Sequence, residues 1–421
     1  MKAVILAAGE SSRFKPLSDK RHKALTHILG KPIIEHTIEE LREASVEEVI
    51  VVQGPEKNIE EELGGAADRY VVQEEPNGMG HALNQAREFL DDKFLVLTPY
   101  RSRASELFEP MMQKAEREDA KIVFVSSETK EPEKYGILDV EDGKATDIVE
   151  KPEPGEAPSD RKVVGMYLLS PEFFDHLDSV EEWEYQYEDA LSSMMEENPA
   201  EVVKIEEEPG SIKYPWDLFD VINELMAEKE RSISGSAEIA ESAQVKGKVI
   251  IEEGATVYEN AVVKGPAYIG RNAVVGNNAI LRNGSVLEES TVAGANSEIK
   301  NSILQPGAST HSGFVGDSII GRNTKIGAGT IVANRGFREE GDRPEIEVDL
   351  MGKDRKEGSG RNSLGCFIGE NVDIGVNCSI MPGIEIGSNS KVGPGTVVKE
   401  NVKPRETVYV DQEQVRKDQN Q

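Results

Sequence analysis

Cysteine is nearly absent from this chain: Cys366 and Cys378 are the only two in 421 residues. That excludes a disulfide framework and any cysteine-rich metal site, and leaves both as small core residues. Aromatics are scarce as well, 5% against 38% hydrophobic residues overall, so the cores must be aliphatic. No apolar run approaches the ~20 residues that cross a bilayer. The opening "MKAVILAAGESSRF" has too short a hydrophobic stretch for a secretory leader. A cytoplasmic protein with no membrane partner is expected. Basic residues are in the minority, 48 Lys and Arg against 78 Asp and Glu, for a formal charge of -30. Nucleic acids and anionic membranes need a basic footprint, so no nucleic acid is expected as a partner, and an anionic small substrate would need a local basic pocket.

What is present falls into two textures. Up to about residue 230, apolar strands such as "AVILA", "EVIVV", "FLVL" and "KIVFV" alternate with amphipathic helical stretches such as "PIIEHTIEELREA". That alternation predicts an α/β domain with a mostly parallel sheet, helices on both faces and ligands at the carboxyl ends of the strands. From Ile239 an aliphatic residue recurs every sixth position: Val245, Ile251, Val257, Val263, Ile269, Val275, Leu281, Leu287. Small or β-branched residues follow four positions after each, and the period returns at Ile320 and again at Ile368. Such hexads predict an all-β solenoid, one short strand per flat side, with the aliphatic residue inward. Both cysteines fall in the small-residue slot. The expected divisions are 1–230, including a linking helix at 215–230; the solenoid at 231–410; and a polar tail at 411–421. Two interruptions, "QPGASTHSGFVGDS" and the charged "NRGFREEGDRPEIEVDLMGKDRKEGSGRN", break the later repeat. Loops of this kind usually carry function.

The first strand runs directly into "LAAGESSRFKPLSDKRHKAL". Gly9 lets backbone N–H groups approach a nucleotide, and Arg13 and Lys23 supply charge for a triphosphate and a sugar phosphate. The segment resembles the signature of sugar-1-phosphate nucleotidylyltransferases, L-A-A-G-x-G-[ST]-R-x-x-P-L-[ST]-x-x-x-P-K-x-L, through Leu6, Ala7, Ala8, Gly9, Ser12, Arg13, Pro16, Leu17, Ser18, Lys23 and Leu25. Ser11 stands in place of a glycine and His22 in place of a proline. The resemblance implies a Rossmann-like fold and nucleotide contacts from Leu6, Ala7, Ala8, Gly9, Gln73 and Gly78, the last two in "QEEPNGMGHAL". In "KYGILDVEDGKATDIVEKP" it implies sugar-phosphate contacts from Gly136, Glu150 and Lys151. It implies catalytic roles for Arg13 and Lys23, and a Mg²⁺-binding carboxylate at Asp217.

The other Mg²⁺ carboxylate of that family belongs after "FLVL". Here the strand ends in Thr98, Pro99, Tyr100 and Arg101, with Tyr100 in the acid's place. A phenol is a poor Mg²⁺ ligand. Three readings stay open: a binding relic; metal recruited by Asp217 and substrate phosphates; or phosphates stabilised by Arg101, Arg13 and Lys23 without a metal.

Of the six histidines, His311 is distinguished by its place in a break of the hexad register. The segment from His311 to Asn334 resembles the acetyltransferase region of bifunctional N-acetylglucosamine-1-phosphate uridylyltransferase and glucosamine-1-phosphate acetyltransferase enzymes of the archaeal type. The matches are His311, Gly316, Asp317, Gly321, Gly327, Ala328, Gly329, Thr330 and Asn334, with Phe314 replacing a tyrosine. The resemblance implies a left-handed parallel β-helix, a homotrimer, acetyl-CoA as co-substrate, His311 as general base and Asn334 as an orienting amide. An imidazole suits that role because it titrates near neutrality. The expected function is nucleotidyl transfer from a nucleoside triphosphate to a sugar 1-phosphate, CoA-dependent N-acetylation of an aminosugar 1-phosphate, or both. Two further readings are a single-activity enzyme and a non-catalytic sugar-nucleotide sensor or scaffold.

Overall fold

A computed structural model describes residues 1–101, 103–206, 210–338, 341–353, 356–414 and 416. Ser102 and parts of the charged interruption (339–340 and 354–355) fall outside them, as do 415 and 417–421 of the polar tail. The chain forms two compact units. One comprises Met1–Glu10 and Lys31–Ile212; the other comprises Ser11–Gly30 and Lys213–Gln421. The segment Ser11–Gly30 therefore groups with the hexad region, not with the strands that surround it in sequence.

Among the described residues, the first unit is built on one nine-stranded sheet. Its strands are β1 (Lys2–Ala7), β2 (Glu48–Gln53), β3 (Arg69–Val72), β4 (Phe94–Leu97), β5 (Ile122–Glu128), β6 (Gly136–Glu141), β7 (Lys144–Glu150), β8 (Arg161–Leu169) and β9 (Ala200–Lys204). Their spatial order is β3-β2-β1-β4-β8-β5-β9-β7-β6. β3, β2, β1 and β4 run parallel, and the continuous apolar runs of β1, β2 and β4 match burial on both faces. The sheet is less parallel than the sequence pattern predicts. β8 enters antiparallel between β4 and β5, and β6 and β7 form an antiparallel hairpin. Apolar content alone does not encode strand direction, so the alternation of strands and helices could not reveal this.

Helix Ile33–Glu43 buries Ile34, Ile38 and Leu41, and helix Ala104–Arg117 buries Leu107, Met111 and Ala115, the i, i+4 spacing of a one-sided helix. These two helices pack together. Helices Gly78–Asn84, Phe173–Ser179 and Gln186–Glu197 form a second group, whose Leu83, Phe173, Leu177, Tyr187 and Leu191 close a core with Val4, Val52, Val96 and Phe124 of the sheet.

The second unit is a three-sided parallel β-helix. Its sides are sheets of eight, nine and eight strands among the described residues. Val257 pairs with Val275, and Val263 with Leu281, so one coil is three hexads. The inward column, including Ile251, Val257, Val263, Ile269, Val275 and Leu281, is buried together with Ala255, Ala261, Ala273, Ala279, Cys366 and Cys378. Each such Val or Ile contributes roughly 1.5–3 kcal/mol by leaving water. Corners are turned by Asn260, Asn272, Asn278, Asn296 and Asn323, whose φ values of 55–58° lie in the left-handed region that asparagine tolerates.

The first interruption is not a loop. Ser309–Thr310 and Gly313–Gly316 are strands of the β-helix, and the coil around them merely shortens: Ser297 pairs with Gly313 and Val286 with Ile303. The second is an excursion that carries the hairpin Glu347–Asp349 and Lys356–Gly358. The linking segment is a 3-10 turn, Pro215–Asp217, running into helix Leu218–Glu228.

Candidate functional site

In the first unit, Leu6 to Gly9 close β1, Gln73 follows β3, and Tyr100 and Arg101 follow β4, all at the carboxyl ends of the parallel strands. Gln73 is buried and donates through Nε2 to the Gly78 carbonyl at 3.2 Å, with the His81 ring at 3.0 Å. Gly78 opens its helix at φ +81, where a Cβ would stand 2.4 Å from the Glu184 carbonyl oxygen, so only glycine fits. Arg101 is 5% exposed; its backbone N–H donates to Thr37 Oγ1 at 3.0 Å, and its guanidinium runs beneath Gly165 of β8.

The hairpin residues also converge. Gly136 pairs with Glu150 in the register, and Glu150 Oε2 lies where a side chain on Gly136 would go. Glu150 Oε1 holds Lys151 Nζ at 2.9 Å, and that ammonium also sits over the Tyr185 ring, 5.1 Å from its centre. Burial pulls the Lys151 pKa down, but the bond and charge of Glu150 outweigh it and the net shift is upward. Glu188, in the first turn of helix Gln186–Glu197, faces the same pair. Burial first, then the Glu150 charge, pushes it up to about 7. Its Oε2 is buried with no hydrogen-bond partner among the described residues. Glu188 was missed by reading the sequence. Its only signal is a carboxylate in an otherwise ordinary amphipathic helix.

Arg13, Lys23 and Asp217 belong to the second unit. Ser11 adopts φ 54 and ψ 30, so the serine that replaces a glycine still takes the left-handed conformation. Its carbonyl accepts from Ser18 Oγ at 2.9 Å. His22, in place of proline, caps the 3-10 turn Lys23–Leu25 by accepting from the Ala24 N–H at 3.2 Å. Burial, then the neighbouring Lys23, lowers its pKa to about 3, so the imidazole stays neutral and can act as an acceptor.

Asp217 does not stand open for a cation: Oδ2 accepts from the backbone N–H of Lys213 and Tyr214, both at 2.7 Å. Burial raises its pKa against those bonds. Among the described residues no group of three or more His, Cys, Asp or Glu could hold a metal. The chain's own donors therefore do not fit Mg²⁺ as a preformed site.

The β-helix chemistry is more exposed. One corner of the prism carries the column Gly276, Gly294, His311, Gly327, Gly375 and Gly393, linked coil to coil through backbone bonds such as His311 N–H to the Ile326 carbonyl at 2.9 Å. A Cβ on Gly294 would meet the His311 carbonyl oxygen at 2.2 Å. His311 is thus an exposed residue in a column of glycines. Strand Gly313–Gly316 runs from it to Asp317, which is 3% exposed. That carboxylate takes Lys300 Nζ at 2.5 Å, Asn301 Nδ2 at 2.8 Å, and Asn334 Nδ2. The amide of Asn334 is fixed by this node, with the Phe314 ring and Asn334 both closing over Gly316.

Reading the sequence also missed Arg282, the register partner of Lys300 one coil before, whose guanidinium holds Glu298 at 2.6 Å. A cleft of about 530 Å³ opens beside Asp317 onto Arg343, Glu345 and Gly360–Ser363. Near the end of the second interruption, Arg361 binds Asp220 at 2.5 Å and Ser363 Oγ accepts from Arg335 Nε at 2.9 Å.

A nucleotidyltransferase sheet and a hexapeptide β-helix bearing an exposed histidine together define a two-part transferase. Residues 2–210 match the nucleotidyl transferase family, 248–283 the hexapeptide repeat of succinyl-transferase, and 365–400 the bacterial transferase hexapeptide. The "Bifunctional protein GlmU" of Methanococcus maripaludis is 40% identical over 90% of each chain. The "Bifunctional sugar-1-phosphate nucleotidylyltransferase/acetyltransferase" of Sulfurisphaera tokodaii is 32% identical over 90% of this chain and 92% of its own. Apo UDP-glucose pyrophosphorylase superposes on 54% of this chain and 98% of its own, with TM-score 0.47 and 23% identity. The chain belongs to the family of bifunctional sugar-1-phosphate nucleotidylyltransferase/acetyltransferases. Relatives that match through both halves favour the two-activity reading over a single-activity enzyme or a scaffold.

Proposed function

We propose that this chain carries out two consecutive-type steps of sugar-nucleotide synthesis at separate sites. In the first, a phosphate oxygen of a sugar 1-phosphate attacks the α-phosphorus of a nucleoside triphosphate, the bond to the β-phosphate oxygen breaks, and pyrophosphate leaves. Arg13 and Lys23 neutralise the phosphates, Gln73 and Gly78 bind the base, and Gly136, Glu150 and Lys151 hold the sugar phosphate. Mg²⁺ would enter with the triphosphate oxygens rather than on a preformed protein cage, since Asp217 Oδ2 is already held by backbone amides.

In the second step, His311 takes a proton from the amine of an aminosugar 1-phosphate as the nitrogen attacks the thioester carbon of acetyl-CoA. The carbon–sulfur bond breaks and the proton passes from the imidazolium to the departing thiolate. Asn334, locked on Asp317, orients the substrate. A trimer of prisms is part of this reading.

The observation that carries it is the placement of His311: an exposed imidazole in a glycine column, one strand from the Asp317–Asn334 node. Colorimetric CoA release from acetyl-CoA with glucosamine 1-phosphate, and pyrophosphate release from a panel of nucleoside triphosphates and sugar 1-phosphates, test the two halves. Absence of either product refutes that half.

A further inference from the structure

A second corner of the β-helix repeats the logic of the His311 column. Its members are Gly270, Glu288, Gln305, Gly321, Gly369 and Gly387, joined coil to coil by bonds such as Glu288 N–H to the Leu304 carbonyl and Gln305 N–H to the Ile320 carbonyl. Glu288 and Gln305 interrupt the glycines on consecutive coils. Side chains on the outside of a prism would ordinarily be wet, yet Glu288 is 0% exposed and Gln305 3%.

What covers them is the segment that carries the nucleotidyl signature. Gln305 Oε1 accepts from the His27 N–H at 2.9 Å, and Gln305 Nε2 donates to the His27 carbonyl at 2.7 Å. One amide thereby satisfies both main-chain polar groups of a residue four positions after Lys23. Glu288 Oε2 accepts from the Gly30 N–H at 2.9 Å. Gly30 sits at φ +95, with the Tyr268 hydroxyl 2.4 Å from the point a Cβ would occupy, so the chain is pressed against the β-helix there. Further along the same side, the Ser388 N–H donates to Asp19 Oδ2 at 2.9 Å, Arg21 pairs with Glu370 at 3.3 Å, and Lys20 donates to Asn389 at 3.0 Å. The last three contacts are at the surface or partly so and contribute little. The two buried side chains on backbone groups are the costly ones to lose.

We propose that Gln305 and Glu288 of the β-helix are positioning residues for nucleotidyl transfer, holding the main chain at His27 and Gly30 and thereby fixing the turn that presents Lys23. This rests on the nucleotidyl reading of Arg13 and Lys23 above. It makes the β-helix a part of the first activity and not only the seat of the second. Neither residue touches substrate, and neither lies in the His311 column.

The experiment uses the full chain and its two activities as internal controls for each other. Gln305→Leu, Glu288→Ala and Glu288→Gln are each assayed for pyrophosphate release, CoA release and melting temperature. The substrates are UTP with N-acetylglucosamine 1-phosphate, or whichever pair the wild type turns over, and acetyl-CoA with glucosamine 1-phosphate. Gln305→Leu and Glu288→Ala should lower kcat/KM for the nucleoside triphosphate about tenfold or more, chiefly through KM, while CoA release stays within about twofold. Glu288→Gln, whose amide oxygen still accepts from Gly30, should recover most of the loss.

Variants that melt with the wild type and keep its nucleotidyl kcat/KM overturn the proposal. So does a parallel fall of both activities and the melting temperature in Gln305→Leu and Glu288→Ala, which would mark a merely structural role. A wild type that releases no pyrophosphate with any pair refutes the nucleotidyl reading itself, and this inference with it.

Discussion

The guanidinium of Arg101 lies under Gly165, its Nη2 2.7 Å from the place where a Cβ on that residue would stand. Gly165 holds φ +57 at the irregular stretch where β8 shifts register against β5. The cation after β4 is thus accommodated by a missing side chain on the neighbouring antiparallel strand. Gly165→Ala should be destabilising by about 1–3 kcal/mol, through both the strained backbone and the displaced arginine. Denaturant unfolding measures it, and pyrophosphate release should fall while CoA release holds.

Tyr100 follows β4 where the family resemblance calls for an acid. Tyr100→Asp restores a carboxylate next to a buried arginine. If the missing acid limits the nucleotidyl step, Mg²⁺-dependent pyrophosphate release should rise; a Mg²⁺ titration of wild type and variant gives the answer. An unchanged rate would mean that the missing acid is not what limits this domain.

Two buried glutamates tie the stability of the second unit to pH. Burial pushes Glu288 up to about 8; the amides of Gly30 and Leu29 and the charge of Arg322 oppose the shift, and Glu252 adds to it. Burial also pushes Glu385 up to about 8, opposed by the Met351 amide and Lys15 and reinforced by Asp19 and Asp349. Both are acids whose folded values lie above the ordinary 4.5. At these two sites the folded chain binds more protons than the unfolded chain between pH 4.5 and about 8, an effect that His22, held neutral in the fold, offsets in part below pH 6.5. Stability should be greatest at the acid end of that window and fall as pH rises through it, by on the order of 1 kcal/mol per pH unit for each group. Melting curves across the window should flatten when both are changed to glutamine.

The β-helix was legible because its hexad repeats one physical demand, an aliphatic residue inward every sixth position, and Cys366 and Cys378 in the small slot follow from it. The order of β8 in the sheet was not, since Val164, Met166 and Leu168 are buried whichever way the strand runs. His311 and Asn334 were singled out in the sequence through the family resemblance of the segment that contains them. Glu288 and Gln305 could not be, because what marks them is a column spanning several coils and a covering segment more than 250 positions away in sequence. Glu188 was hidden for a related reason. Its partner Glu150 ends a strand of a hairpin that sequence separates from the helix.

The central claim, two separable transfer sites on one chain, is tested most directly by assaying Lys23→Ala and His311→Ala side by side for both products. Lys23→Ala should lose pyrophosphate release and keep CoA release. His311→Ala should lose CoA release by roughly 10²- to 10⁴-fold and keep pyrophosphate release. If His311→Ala acetylates at the wild-type rate, or if each substitution silences both reactions in folded protein, the account is contradicted.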